Sequence, residues 1–185
     1  MAFSESLNPQ LIDFIREQPM FFVSTAASSG RVNCSPKGMD SFRVLNEKNV
    51  AYLDLTGSGN ETSAHILADG RVTIMFCSFG AKPLILRLYG RGEVVRVGDA
   101  KWNDLISLFT QRPGQRQIII LHIESVQTSC GFAVPKMELL TDRNDLLDWA
   151  NKKGDEGLAE YREKKNRISI DGFETGLKSS VVKER

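Results

Sequence analysis

Gly57, Ser58 and Gly59 separate a strand-like run, NVAYLDL, from a helix-like one, and Asn60, Glu61, Thr62 and Ser63 stand at the junction. The first turn of a helix leaves about four backbone N–H groups unpaired, at the positive end of the helix dipole. Glycines let such a backbone close on a ligand, and Asn60, Thr62 and Ser63 add side-chain donors. The chemistry on offer is capture of a phosphate. The same residues also read as a turn followed by a helix capped by Asn60 or Thr62. A dinucleotide fingerprint is the weaker reading, because Thr62 occupies the place of the third glycine and no parallel strand–helix–strand unit surrounds it.

Three further stretches carry reactive or charged side chains. In CSPKGMD, Lys37 is offered beside Gly38 at a strand end. An ammonium there meets an anion or the electron-rich edge of a reduced cofactor, or it simply projects into solvent. In LILRLYG, the two-residue period puts Leu84, Leu86 and Leu88 on one strand face and Ile85, Arg87, Tyr89 and Arg91 on the other. With the leucines inside, Arg87 looks toward solvent or a second subunit. In QTSCGFAVP, Cys130, Gly131 and Phe132 form a small loop that walls a cofactor or turns the chain into its last helices. Cys130 has no His or basic neighbour in sequence to activate it. The two histidines, His65 and His122, fall in no metal-ligand spacing, and neither a Walker A motif nor a GxSxG elbow is present.

The elements that must position these residues are mostly strands. Asn8 and Pro9 open a short helix through Gln18. MFFVSTAA and the segment 31–35 read as a hairpin, with Pro36 expected to end the pairing. FRVLNEKNVAYLDL gives two more strands, and the junction helix runs from about Asn60 to Ala68. RVTIMFCSF is a buried strand. PLILRLYGRGEVVRV is a long one in which Gly90 and Gly92 suggest a bulge or bend. Asp99 is expected to cap a helix reaching Phe109, and QRQIIILHIESVQTS forms the last strand. Beyond Pro135 two helices divide at Gly154, and the polar stretch from Ser169 reads as loosely ordered. Hairpin connections interrupted by helices favour an antiparallel barrel over a doubly wound sheet. The expected organisation is a barrel domain over residues 1–136 and a helical extension over residues 137–185 packed on it.

Composition limits the partners. Lys and Arg number 24 against 23 Asp and Glu, so the charge of +1 gives no footprint for nucleic acid or an acidic membrane. Three scattered cysteines, Cys34, Cys77 and Cys130, favour free and mostly buried thiols in a reducing compartment. No signal peptide and no bilayer-length apolar run is legible, so a cytoplasmic location is expected.

Taken together, FFVSTAASSGRVNCSPKGMD, YLDLTGSGNETSAHI, GRVTIMFCSF, LILRLYGRGEVV and VQTSCGFAVP resemble the pyridoxamine 5′-phosphate oxidase-related, FMN-binding split-barrel family. The resemblance implies a mainly β fold with added helices, built on a six-stranded antiparallel Greek-key split β-barrel. It also implies a homodimer with FMN in clefts at the subunit interface. Ser35, Pro36, Lys37, Gly38, Met39 and Asp40 match the segment under the flavin ring and ribityl chain. Leu55 and Thr56 match the strand end near the phosphate, and Asn60, Glu61 and Thr62 the helix start that meets it. Arg87 matches the strand from which the partner subunit approaches the flavin. The family's oxidases carry an Arg-Lys pair where Glu61 and Thr62 stand, and a C-terminal Trp and Arg region with no counterpart that aligns beyond Pro135. The resemblance therefore implies an FMN-binding, flavin-dependent oxidoreductase on an unknown small substrate rather than a pyridoxamine phosphate oxidase. The alternatives are a non-enzymatic flavin-binding storage or sensor module, or a barrel using deazaflavin or haem.

Overall fold

The computed structural model describes residues 2–178 of the 185. The chain runs β1 (Ala2–Ser4), α1 (Pro9–Glu17), β2 (Phe21–Thr25), β3 (Asn33–Lys37), β4 (Phe42–Asn46), β5 (Asn49–Leu55), α2 (Glu61–Ala68), β6 (Arg71–Cys77), β7 (Ile85–Arg96), α3 (Trp102–Ile106), β8 (Gln115–Ser129) and α4 (Asp145–Lys165). Every strand pairing is antiparallel, in the order β3-β2-β6-β7-β8-β5-β4, with β1 added on β8. This is the mainly β, antiparallel split barrel expected, with eight strands among the described residues rather than six: seven along the path and β1 on β8.

β8 explains the apolar run IIIL. It pairs with both β5 and β7, and Ile118 to Leu121 are buried on both faces. Ile119 and Leu121 face the barrel core with Val23, Ile74, Leu86 and Leu88. Ile118 and Ile120 pack outward under α3 with Trp102 and Phe109. On β7, Leu86 and Leu88 point inward and Arg87 and Tyr89 outward, as the alternation requires. The register of β7 on β8 slips between Tyr89 and Gly90, where a side chain on Gly90 would collide with the His122 carbonyl. The bulge that Gly90 suggests is present, and glycine is what lets the two backbones approach.

Asn8 caps α1, its Oδ1 accepting from the Leu11 N–H at 2.9 Å. α2 ends at Asp69, and Gly70 turns the chain at φ +92°. α4 is two helices meeting at Gly154, whose φ of 64° breaks the helical path.

Four local expectations are corrected. Pro36 does not end the β2–β3 pairing; it stands opposite Phe22 inside β3. β3 is the last strand of the sheet path, so a residue without an N–H costs it no ladder bond on the open side. Asp99 does not cap α3 with its side chain: its Oδ2 accepts from the Arg96 N–H at 2.7 Å, closing the turn before the helix. Of the free cysteines only Cys77 is buried, because Cys34 lies on the outward face of β3 and Cys130 in a surface loop. Finally, Ser169 and Thr175 are buried rather than loose. The Thr175 carbonyl accepts from Ser63 Oγ at 2.7 Å and Asp171 binds the backbone and side chain of Arg31, tying this segment to α2 and to the loop before β3. The rest of the expected loose stretch, residues 179–185, lies outside the described residues. Among the described residues no helix is long and apolar enough to cross a membrane.

Candidate functional site

A cavity of about 260 Å³ lies between β3, the end of β5 and the start of α2. Strand alternation aims Asn33, Ser35 and Lys37 into it, while Cys34 and Pro36 face outward. Leu55, Gly57, Ser58 and Gly59 supply its floor, and Asn60, Glu61 and Thr62 the helix start.

Asp54 organises the wall. It sits near the end of an apolar strand and is 2% exposed. Lys37 Nζ stands 3.0 Å from its Oδ1. Its Oδ2 accepts from Arg116 Nη2 at 2.6 Å, Arg116 Nε at 3.2 Å and Gln117 Nε2 at 2.9 Å. Burial by itself would raise the Asp54 pKa, but the Arg116 and Lys37 charges and their hydrogen bonds hold it well below the usual carboxylate range. The carboxylate is therefore ionised, and burial followed by its charge pushes the Tyr52 hydroxyl well above its ordinary value. Lys37 also lies over the Tyr52 ring at 5.8 Å.

The loop at the helix start is fixed from behind. Arg116 Nη1 donates to the Gly59 carbonyl at 3.0 Å and to Asn166 Oδ1 at 2.8 Å. Asn166 Nδ2 donates in turn to the Gly57 carbonyl at 3.0 Å. Asn60 does not cap α2 with its side chain: its Oδ1 accepts from Gln117 Nε2 at 2.7 Å and its Nδ2 reaches the Asn166 carbonyl. Both amide atoms are engaged, so what Asn60 contributes to the cavity is loop geometry. Thr62 Oγ1 accepts from Asn33 Nδ2 at 3.2 Å. The Glu61 carboxylate turns to the C-terminal segment and accepts from the Ile170 N–H at 3.1 Å. A carboxylate at a phosphate-type helix start is thereby drawn toward a backbone donor of its own.

The expected residues divide in space. Ser35, Lys37, Leu55, Asn60, Glu61 and Thr62 meet at this cavity. Thr56 is buried beside it, its hydroxyl donating to the Gly114 carbonyl and accepting from Arg162 Nε, both at 2.8 Å. Gly38 and Asp40 line a larger cavity of about 520 Å³ between α1 and β4. The turn that leads there holds Met39 and Asp40 at φ of 63° and 51°, a left-handed pair that is uncommon without glycine. The Asp40 carboxylate is gripped by Arg43 at 2.8 and 3.0 Å, which anchors the turn. Arg87 lies on the outer face of β7, donating to Ser129 Oγ at 3.2 Å, and lines neither cavity. His65 is buried against Thr25, and His122 is held on the surface by Asn49 and Glu93.

Sequence reasoning missed Asp54, Arg116, Gln117 and Asn166. The signal available was a charged residue where a strand should be apolar: Asp54 in YLDL and Arg116 in QRQIIIL. A buried charge needs a partner.

An antiparallel split barrel of this topology is a fold that other proteins share. The family model for pyridoxamine 5′-phosphate oxidase matches residues 7–130. The pyridoxamine 5′-phosphate oxidase family protein ustO of Aspergillus flavus is 41% identical over 197 residues, spanning 97% of this chain and 79% of that protein. Among solved structures, HupZ of Group A Streptococcus superposes with a TM-score of 0.52 at 22% identity, covering 65% of this chain and 91% of its own. A pyridoxamine 5′-phosphate oxidase-related, FMN binding protein of Nostoc punctiforme gives 0.52 at 12% identity, covering 71% and 89%. The chain belongs to the pyridoxamine 5′-phosphate oxidase family.

Proposed function

We propose that the protein binds FMN, with the cofactor's phosphate in the cavity between β3 and α2, and acts as a flavin-dependent oxidoreductase on a small substrate. The observation that carries this reading is the convergence of Lys37 and Arg116 on the single buried carboxylate of Asp54, beside the start of α2. Lys37 and Arg116 stand against two carboxylates in the lining, Asp54 and Glu61, but Glu61 is turned to the Ile170 N–H, and the first-turn amides of α2 add donors. The residues fit an organic phosphate even though Glu61 and Thr62 replace the family's basic pair, because Lys37 and Arg116 bring positive charge from β3 and β8.

Ser35 and Lys37 line this cavity and Gly38 and Asp40 the larger one, and the elongated cofactor would lie along the segment that joins them. Lys37 on that path is placed to favour negative charge on the ring edge. Bound FMN would supply the hydride and electron chemistry. The chain's own residues would hold the phosphate, orient the ring and keep a positive charge near it. Two copies would pack through the outer faces of β7 and β8, with Arg87 reaching the partner's cleft.

Purified protein with a flavin-type visible spectrum, and FMN identified after release, tests the reading. A released deazaflavin or haem would replace it. FMN bound but never reduced or reoxidised by nicotinamide and acceptors would assign a storage or sensor module instead. Sizing chromatography at the dimer mass tests the assembly.

A further inference from the structure

A second cavity, of about 270 Å³, shares Arg116 with the first and opens among the end of β7, the second half of α4 and the chain that follows it. The flavin reading gives it no task. Arg96, Arg116, Arg162, Arg167 and Lys178 line it against two carboxylates, Asp99 and Glu163. Arg167 is paired with Glu163 at 2.7 Å and Arg116 with Asp54. Arg96 and Arg162 make no ion pair among the described residues.

These two arginines are held in place by neutral groups. Arg96 Nη2 donates to Ser63 Oγ at 2.8 Å and to the Thr175 carbonyl at 2.6 Å, and its Nε is buried with no acceptor. Arg162 uses Nε on Thr56 and Nη2 on the Gln115 carbonyl. Burial first, and the Arg116 charge besides, lower the pKa of both, against the opposing pull of Asp99 on Arg96 and of Asp155 on Arg162. Guanidiniums positioned by neutral acceptors, crowded and partly desolvated, are arranged to receive an anion. Val97, Ala159 and Leu177 add an apolar wall.

We infer that this cavity is a second anion site, which takes the phosphate group of a small phosphomonoester or free inorganic phosphate between Arg96 and Arg162, with Arg167 and Lys178 at its mouth. The inference does not depend on FMN occupying the first cavity.

Isothermal titration of the purified protein with inorganic phosphate, and separately with glycerol 3-phosphate, at constant ionic strength in chloride tests it. Saturable binding is expected, and it persists in Lys37→Ala, which impairs only the first cavity. The Arg167→Gln/Lys178→Gln double variant changes two exposed side chains and should weaken binding by about tenfold, the order of loss when charge-assisted contacts go. Arg162→Gln should weaken it further. Tighter binding of glycerol 3-phosphate than of phosphate identifies an ester as the ligand; equal affinity identifies the free ion. No saturable binding overturns the inference. So does binding that survives both the double variant and Arg162→Gln, or binding abolished by Lys37→Ala alone.

Discussion

Arg116 and Asp54, 62 positions apart in sequence, meet Nη2 to Oδ2 at 2.6 Å with side chains only 4% and 3% exposed. A buried pair of this kind regains little more than it costs to desolvate, so stability alone is a poor reason for it. It makes more sense as the device that fixes the helix-start loop, since the same guanidinium holds the Gly59 carbonyl and Asn166.

Removing Arg116 leaves Asp54 with Lys37 and Gln117 alone. Arg116→Met should destabilise the protein by less than the roughly 3–5 kcal/mol typical of a buried charge left with no partner, because Lys37 still pairs the carboxylate. The double variant Arg116→Met/Asp54→Leu should recover much of that loss in urea unfolding and still fail to retain FMN. Recovery of both stability and flavin would show that the pair has no part in the site.

Lys37 behaves differently because its side chain is 26% exposed and Asp54 keeps Arg116 without it. Lys37→Ala should cost about 1.5 kcal/mol of stability, the low end of the range for a hydrogen bond to a charged group. FMN affinity should fall by about tenfold or more, as expected for a lost charge-assisted contact. Fluorescence titration and urea midpoints on the same samples separate the two effects.

The acid limb of stability follows from the Asp54 shift. Its folded pKa is depressed, because the Arg116 and Lys37 charges outweigh the burial that would raise it. Its contribution is therefore fully present above the unfolded value of about 4 and is lost as pH falls from there toward the folded value. Urea midpoints measured from neutral pH down to pH about 3 should drop in that window, and Asp54→Asn should flatten the drop while lowering the neutral plateau.

Gly90 and Gly92 offer a test of the barrel itself. A methyl at Gly90 meets the His122 backbone, which cannot yield, whereas at Gly92 it meets the side chains of Ile66 at 2.6 Å and Val72 at 2.8 Å. Gly90→Ala should be the more damaging, at about 3 kcal/mol or beyond, and Gly92→Ala about 1–3 kcal/mol, since overpacking costs most where the backbone itself is in the way. Circular dichroism melts of the two variants give the order.

The barrel was legible in the sequence because its signals are local. Alternation put Leu86 and Leu88 inside and Arg87 outside, Asn8 and Pro9 announced α1, and Gly90 marked the bulge. The alternation of Ser35 and Lys37 was not legible, because Pro36 between them was expected to end the pairing, whereas on an edge strand it continues to Lys37. Asp54, Arg116 and Asn166 were not legible either, because what makes each of them matter is a contact spanning at least 50 positions. Asn60 looked like a cap by its type, and long-range amide bonds to Gln117 and Asn166 claimed its side chain instead. Asp99 looked like a cap too, and a nearer donor, the Arg96 N–H, took its carboxylate.

The most direct measurement is a titration of cofactor-stripped protein with FMN, followed by flavin fluorescence and repeated with riboflavin. Saturable binding of FMN is expected, much weaker for riboflavin, which lacks the phosphate that Lys37 and Arg116 attract, and weakened in Lys37→Ala. Failure of FMN to bind, or equal affinity for riboflavin and FMN, would contradict the proposed FMN site.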